Sequence, residues 1–253
     1  MIYDIQKASL LKRIPAWILD SILTLIVAVG VMTAFSFLLQ VDKHTQALND
    51  VYTAYEQKYE IDFSLSQEEI SRLDEEQLAL YQAATEELAK DTVAQKAYEQ
   101  VLSSMFFMVS LGLFTTALVL DFLIPLWLKN GQTLGKKMFG IALVRYDSVR
   151  VTPMMVFVRG VLGKYTLETM IPVLLVMMLM FGAMGLTGAV TLLVVLAVVF
   201  ILPLITKNRS AIHDLLACTV AVDLSTQMIF DTPEAREAYQ QKFDEEMASR
   251  TED

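Results

Sequence analysis

The sequence predicts an all-α, polytopic membrane protein with four transmembrane helices. Hydrophobic residues make up 55% of its 253 residues, and its mean hydropathy is +0.47. Several apolar runs reach the ~20 residues that an α-helix needs to cross a bilayer. Most of the charged residues lie in the stretches between these runs. This composition excludes a single soluble globular core.

The first predicted span is the apolar run Ile14–Leu39, which follows the basic residues Lys7, Lys12 and Arg13. The run is longer than the apolar region of a signal peptide and is not followed by a clear small-residue cleavage site. We therefore expect it to remain as the first transmembrane helix.

The next stretch, Val41–Gln100, predicts an extracytoplasmic helical hairpin. It has fourteen acidic and five basic residues and contains neither Gly nor Pro. Aromatic residues recur at helical spacing in its first half, and Ser66 with Glu69 forms a capping-box pattern at the start of a second helix. The aromatic stripe is interpreted as the seam between the two helices. The less favoured alternative is an acidic surface that recruits cations or a partner.

A second span is predicted over about Leu102–Leu128, and it contains Asp121. The following stretch, Lys129–Glu168, has seven basic residues and two acidic ones. Cytoplasmic loops are enriched in Lys and Arg, so this bias places the loop and the N-terminus in the cytoplasm. The acidic hairpin then faces outward.

Within the basic loop, Gly131–Lys137 is similar to a phosphate-binding loop. Its glycine spacing is one residue short, Lys137 replaces the magnesium-binding hydroxyl residue, and a transmembrane helix rather than a strand precedes it. Nucleotide binding is therefore rejected.

Ile141–Arg145 and Arg150–Thr152 are compatible with a small β-hairpin, and Thr152-Pro153 starts a predicted amphipathic helix at the inner membrane interface.

Two further spans are predicted in Thr169–Thr206, which lacks charged residues over 38 positions. Gly182, Gly185 and Gly188 mark a tight outer turn between them. The tail after Val222 has nine acidic and three basic residues and is interpreted as a short helical or disordered appendage. The predicted domains are thus a membrane domain over 8–222, interrupted by the hairpin 41–100, and an acidic cytoplasmic tail over 223–253.

Asp20 and Asp121 are the candidate ion, proton or substrate site, with Arg13 as their counter-charge. Asp20 lies seven residues after Arg13 and Asp121 eight residues before Lys129. A rise of ~1.5 Å per residue places both carboxylates roughly 10 to 12 Å from the cytoplasmic boundary. Acids inside a membrane span are usually functional, but structural pairing that ties helices together is the alternative.

A supporting network of charged residues is predicted at the cytoplasmic ends of the spans. It comprises Arg159, Glu168, Arg209, His213 and Asp214. The favoured interpretation of His213-Asp214 is a juxtamembrane cap in which Asp214 pairs with Arg209 or with a basic-loop residue; proton entry through His213 is the alternative. A metal-dependent phosphohydrolase site needs further histidines, and the sequence has only His44 besides His213.

Four segments together resemble the RDD-domain family of membrane proteins. They are Arg13-Ile14-Pro15-Ala16-Trp17-Ile18-Leu19-Asp20, then Asp121, then Gly131-Gln132-Thr133-Leu134-Gly135-Lys136, and Arg209 with His213–Val220. That family is named for an arginine at the start of its first helix and aspartates in its first two helices. The resemblance covers about Ala8–Val222, and the long hairpin and the well-defined pair of spans after the basic loop are departures from it.

The resemblance implies a role in transport, with cation/proton antiport proposed for some members of this largely uncharacterised family. Our leading hypothesis is therefore a transporter of a small ion or solute in the cell (plasma) membrane, with both termini cytoplasmic. The alternative is a non-transporting scaffold or accessory subunit that presents its hairpin and tail to protein partners. Expected partners are the lipid bilayer, a small cation or proton, a membrane or extracytoplasmic protein, or a second copy of the chain. Enzyme activity, cofactors, bound metal and nucleic acid are not expected.

Overall fold

The computed structural model describes residues 5–128, 130–206 and 210–251. The chain forms two compact units, one of Met1–Ala28 with Leu113–Asp253 and the other of Val29–Gly112. The helices are α1 (Leu10–Leu38), α2 (Val41–Tyr59), α3 (Gln67–Ile70), α4 (Glu75–Lys90), α5 (Thr92–Trp127), α6 (Leu134–Met138), α7 (Pro153–Met180), α8 (Leu186–Ile205), α9 (Ile212–Leu216) and α10 (Pro233–Thr251). The strands are β1 (Ile141–Arg145) and β2 (Thr219–Asp223).

Four helices of the described chain, α1, α5, α7 and α8, are long and apolar enough to cross a membrane. Their mean hydropathy windows range from 1.4 to 2.9. The predicted class, an all-α polytopic membrane protein with four spans, is confirmed. The only sheet in the described residues is the antiparallel pair β1–β2.

The unit Val29–Gly112 contains the predicted hairpin helices α2 and α4. The Ser66 side chain accepts from the Glu69 N–H and the Glu69 carboxylate accepts from the Ser66 N–H, which completes the predicted capping box. Tyr52 and Tyr81 both make edge-to-face contacts with Phe63. The aromatic stripe therefore packs between α2 and α4, as the spacing predicts.

The strand β1 has a different principal partner from the predicted one. Val144 and Arg150 form a single bridge, but β1 pairs over its whole length with β2, from Ile141 opposite Asp223 to Arg145 opposite Thr219. This pairing buries both strands among apolar side chains, which a three-residue partner strand cannot achieve. The N-terminal segment adds a further edge, since the Ala8 N–H donates to the Ala221 carbonyl at 3.1 Å.

The helix α7 begins where the sequence predicts. Thr152 caps it by accepting from the Met155 N–H, and Pro153 occupies its first turn. The helix then runs to Met180, so the predicted interfacial helix and third span are joined in one element. Its central part, Val158–Met170, has π-helical geometry and contains Arg159, which is buried with 5% of its surface exposed.

The turn between α7 and α8 lies at the predicted glycines. Gly182 has φ +67°, a left-handed conformation that glycine adopts without steric cost.

Beyond β2, the tail packs against the small sheet before α10 begins. The Phe230 N–H donates to the Ser148 carbonyl, and Arg150 forms an ion pair with Asp231.

Candidate functional site

The Asp20 carboxylate is held by the first turn of α6. The Thr133 hydroxyl donates to one carboxylate oxygen at 2.5 Å, and the Gly135 N–H donates to the other at 2.8 Å. The Lys136 ammonium lies 3.8 Å from the carboxylate. The first N–H groups of a helix have no partner within the helix, so a carboxylate from another helix satisfies them and interacts favourably with the helix dipole.

Gly135 permits this contact because no side chain fits at its position. A Cβ atom there would collide with the Ala16 carbonyl oxygen and lie 2.8 Å from an Asp20 carboxylate oxygen. The α6 backbone can therefore approach α1 closely enough to donate a hydrogen bond to Asp20.

Asp121 forms an ion pair with Lys164, at 2.5 Å between carboxylate and ammonium. Asp121 lies in a short π-helical segment of α5, Leu118–Leu123, and Lys164 in the π-helical part of α7. The two helices touch at Gly160, where an added Cβ would collide with the Asp121 carbonyl oxygen. The carboxylate is buried, whereas the Lys164 side chain is 28% exposed.

A small cavity joins the two carboxylates. Its volume is about 10 Å³, about enough for one water molecule. It is lined by Asp20, Leu23, Thr24, Leu120, Asp121, Thr133 and Leu134. The two acids that the sequence places at one depth thus line the same space.

A second cluster joins α7 to α9. The Arg159 guanidinium contacts an Asp214 carboxylate oxygen at 2.7 Å and the His213 Nε2 atom at 3.0 Å. His213 Nδ1 lies 2.7 Å from the Glu168 carboxylate. Because arginine can only donate, the Arg159 contact is a hydrogen bond when His213 Nε2 carries no proton, in which case Nδ1–H donates to Glu168. The Thr219 hydroxyl donates to Asp214 at 3.1 Å.

Electrostatics link the cluster to the Asp20 site through Lys136. Burial, reinforced by the neighbouring Arg159 cation, lowers the pKa of Lys136 from 10.5 to about 8, although Asp20 opposes this shift. Burial alone would raise the pKa of Asp214, but the Arg159 guanidinium holds that pKa well below its usual range. Asp214 is therefore ionised at neutral pH, and Lys136 can lose its proton in mildly alkaline conditions.

A match to a protein-family model shows which family this chain belongs to. The model of the RDD family matches residues 7–218. This chain belongs to the RDD family. No curated protein and no solved structure matches it.

In this RDD protein, the structure brings together most of the residues that the sequence selects. Asp20 and Asp121 share the cavity, and Arg159, Glu168, His213 and Asp214 form one network. Asp214 pairs with a basic-loop residue, Arg159, which is one of the two predicted arrangements. Arg209, the other predicted partner, lies outside the described residues.

Arg13 lies at the start of α1 with a half-buried side chain, and its N–H donates to the Ser9 carbonyl at 3.0 Å. It is not among the residues that line the described cavity. Lysines lie against the two carboxylates, Lys136 beside Asp20 and Lys164 beside Asp121. The role of Arg13 as counter-charge stays a prediction.

Sequence reasoning missed Thr133, Gly135, Lys136 and Lys164 as parts of the RDD site. The first three belong to the segment that is similar to a phosphate-binding loop. That similarity is a usable signal, because Thr133 and Gly135 do bind an anion, and the anion is the side chain of Asp20. Lys164 has no comparable local signal.

Proposed function

We propose that this RDD protein transports a small cation or solute across the cell membrane by using Asp20 and Asp121. The observation that carries the proposal is the cavity of about 10 Å³ lined by both carboxylates. Ionisable groups within membrane-spanning segments commonly mark ion pathways and proton relays. We propose cation/proton antiport as the form of transport, as the family resemblance implies.

The contacts at the two acids support competition between a proton and a cation. Each carboxylate already binds a cationic group of the chain, Lys136 in one case and Lys164 in the other. A transported cation would replace one of these ammonium groups. A carboxylate can bind either a proton or a cation, so exchange of one for the other at this site is the coupling that we propose.

The small volume of the cavity corresponds to a closed conformation in this proposal. One water-sized space cannot accommodate a hydrated cation, so opening must separate α6 from α1 or α7 from α5. Lys164 is more exposed than Lys136, at 28% against 19%, so we expect the Lys164 side chain to be the first to move on opening.

The test is proton and cation flux in proteoliposomes that contain equal amounts of inserted protein. We expect Asp20→Asn and Asp121→Asn each to reduce sodium- or potassium-driven proton flux at least about tenfold, since each removes a charge that must bind the ion. Asp147→Asn is the matched control, because Asp147 pairs with Arg145 and is not part of the cavity lining. Equal flux in all four proteins would contradict the aspartate site.

A second candidate function is a non-enzymatic scaffold or accessory subunit, and a specific observation favours it. Both acids are engaged by groups of the chain itself, as expected if they only tie helices together. In that case wild-type protein gives no flux above protein-free liposomes across a screen of sodium, potassium and protons. The acidic unit Val29–Gly112 would then be the bait for identifying its partners.

A further inference from the structure

The unit Val29–Gly112 contains a groove that shares no lining residue with the aspartate site. Its volume is about 430 Å³, within the usual range of small-molecule pockets. It is lined by Leu39, His44, Lys96, Glu99, Gln100, Ser103, Ser104 and Phe107. One wall is the junction of α1 and α2, and the other is one face of α5.

The chemistry of the groove changes from one end to the other. Lys96, Glu99 and Gln100 precede the apolar part of α5, which begins at Val101, whereas Phe107 lies within it. On the opposite wall, Leu39 ends the apolar part of the first span and His44 lies in the polar hairpin. The groove therefore crosses from polar to apolar surroundings at the level where two spans leave the membrane.

The groove is longer than a headgroup layer is thick. Phe107 lies eleven residues after Lys96, which corresponds to a rise of about 16 Å along the helix. The headgroup region on one side of a bilayer is roughly 5 to 8 Å thick. The polar end thus reaches beyond this layer, while the Phe107 end reaches the hydrocarbon.

Lys96 differs from the other basic residues of the hairpin. Lys58, Arg72 and Lys90 form ion pairs, and Lys43 donates to the Gln40 side chain. In the described part of the chain, neither the Lys96 nor the Glu99 side chain has a partner. The two residues are three positions apart on one helix, so their side chains are neighbours on its surface. The groove thus presents one unpaired cation and one unpaired anion.

We propose that this groove binds the headgroup of a zwitterionic phospholipid of the phosphoethanolamine type. The phosphate lies against Lys96 and His44, which donate to it, and the ammonium lies against the Glu99 carboxylate. The acyl chains follow Phe107 and Leu39 into the bilayer. The opposite charges of the two side chains match a headgroup that itself carries both charges. The proposal does not depend on the transport function.

Native mass spectrometry of the full chain, released from nanodiscs with equal phosphatidylethanolamine and phosphatidylglycerol, tests the proposal. Wild-type protein should retain phosphatidylethanolamine preferentially. Lys96→Gln should weaken retention of both lipids about tenfold, since a charge-assisted bond to phosphate is lost. Glu99→Gln should remove only the preference for ethanolamine. Lys43→Gln, in α2 beside His44 but not part of the groove lining, is the matched control and should behave as wild type.

Two further arms separate the groove from general lipid contact. Lys96→Arg should retain the lipid, because it keeps the cation. Soluble phosphoethanolamine should bind far more weakly than the lipid, since it lacks the acyl chains. Equal retention by wild type, Lys96→Gln and Glu99→Gln would overturn the proposal, as would equal affinity for the soluble headgroup and the lipid.

Discussion

Asp20 is held among apolar helices by two hydrogen bonds and a nearby lysine. A hydroxyl, a backbone N–H and a lysine surround the carboxylate, and its side chain is 11% exposed. An unpaired buried carboxylate would be far more costly. The three donors come from one short segment, so the geometry of that segment determines whether the site exists.

Gly135→Ala should disrupt the Asp20 site, although the substitution adds only one methyl group. The new methyl group would overlap the Ala16 carbonyl and push α6 away from Asp20, which costs about 1–3 kcal/mol of stability. The measurement is thermal unfolding in detergent. Gly30→Ala is the matched control, because an added Cβ at Gly30 in α1 meets nothing within 4 Å. Equal unfolding temperatures for the two variants would contradict the close-contact argument.

The lowered pKa of Lys136 predicts a pH dependence of stability. The unfolded chain binds this proton up to about pH 10.5, whereas the folded chain releases it near pH 8. The unfolded state therefore binds more protons in this window, and the free energy of unfolding rises with pH through it. Between pH 7 and 9.5, wild type should gain about 1–2 kcal/mol relative to Lys136→Gln.

The measurement is the difference between the two unfolding free energies at each pH, because other groups also titrate in this range. Lys137→Gln, at the exposed neighbouring position, is the control and should track wild type. A constant difference between wild type and Lys136→Gln from pH 7 to 9.5 would show that Lys136 is not desolvated.

At this scale, sequence reasoning finds the charges but not their partners. Asp20 and Asp121 stand out because carboxylates are rare in apolar runs. Thr133 and Gly135 follow Asp20 by 113 and 115 residues, and nothing in the local pattern connects them with it. Lys164 likewise resembles any other basic residue near a membrane surface until α7 packs against α5.

At the scale of elements, local signals predict well and long-range pairing does not. The capping box at Ser66, the Thr152-Pro153 helix start and the glycine turn near Gly182 each depend on a few neighbouring residues, and all three appear in the structure. The partner of β1 depends on β2, which lies more than 70 residues later. A run such as Thr219–Asp223 becomes a strand only where β1 is available to pair with it.

The hairpin helices make a prediction at the same scale. The unit Val29–Gly112 has its own internal bonds, including the pair Lys58–Glu87 at 2.6 Å and the bond from the Tyr55 hydroxyl to Asp91 at 3.2 Å. Replacing Val41–Gln100 with a flexible linker of about ten residues should therefore leave the rest of the chain folded. The measurement is a monodisperse, helical species in detergent.

Deletion of α8, Leu186–Ile205, is the control for that experiment. It removes a predicted span from within the other unit and should abolish folding. If both deletions aggregate, the membrane core needs the hairpin, and the division into two independent units fails.

At the scale of the whole molecule, the number of spans and the charge distribution predict the same topology. If all four candidate spans cross the membrane, both ends of the chain lie on one side and the segment between the first two spans lies on the other. The basic loop of Lys129–Glu168 independently favours the cytoplasm for the side that holds the ends. The hairpin should then face outward.

Cysteine labelling in intact cells tests this topology. The native Cys218 is exposed and is replaced first by Cys218→Ser. In that background, Ser71→Cys, at an exposed position in the hairpin, should react with a membrane-impermeant maleimide. Ser225→Cys, exposed after β2, should react only after the cells are opened, because the tail is expected inside. The reverse labelling pattern would mean that the protein has the opposite orientation in the membrane, with the aspartate cavity nearer the outer surface. Ions would then have to enter from the other side.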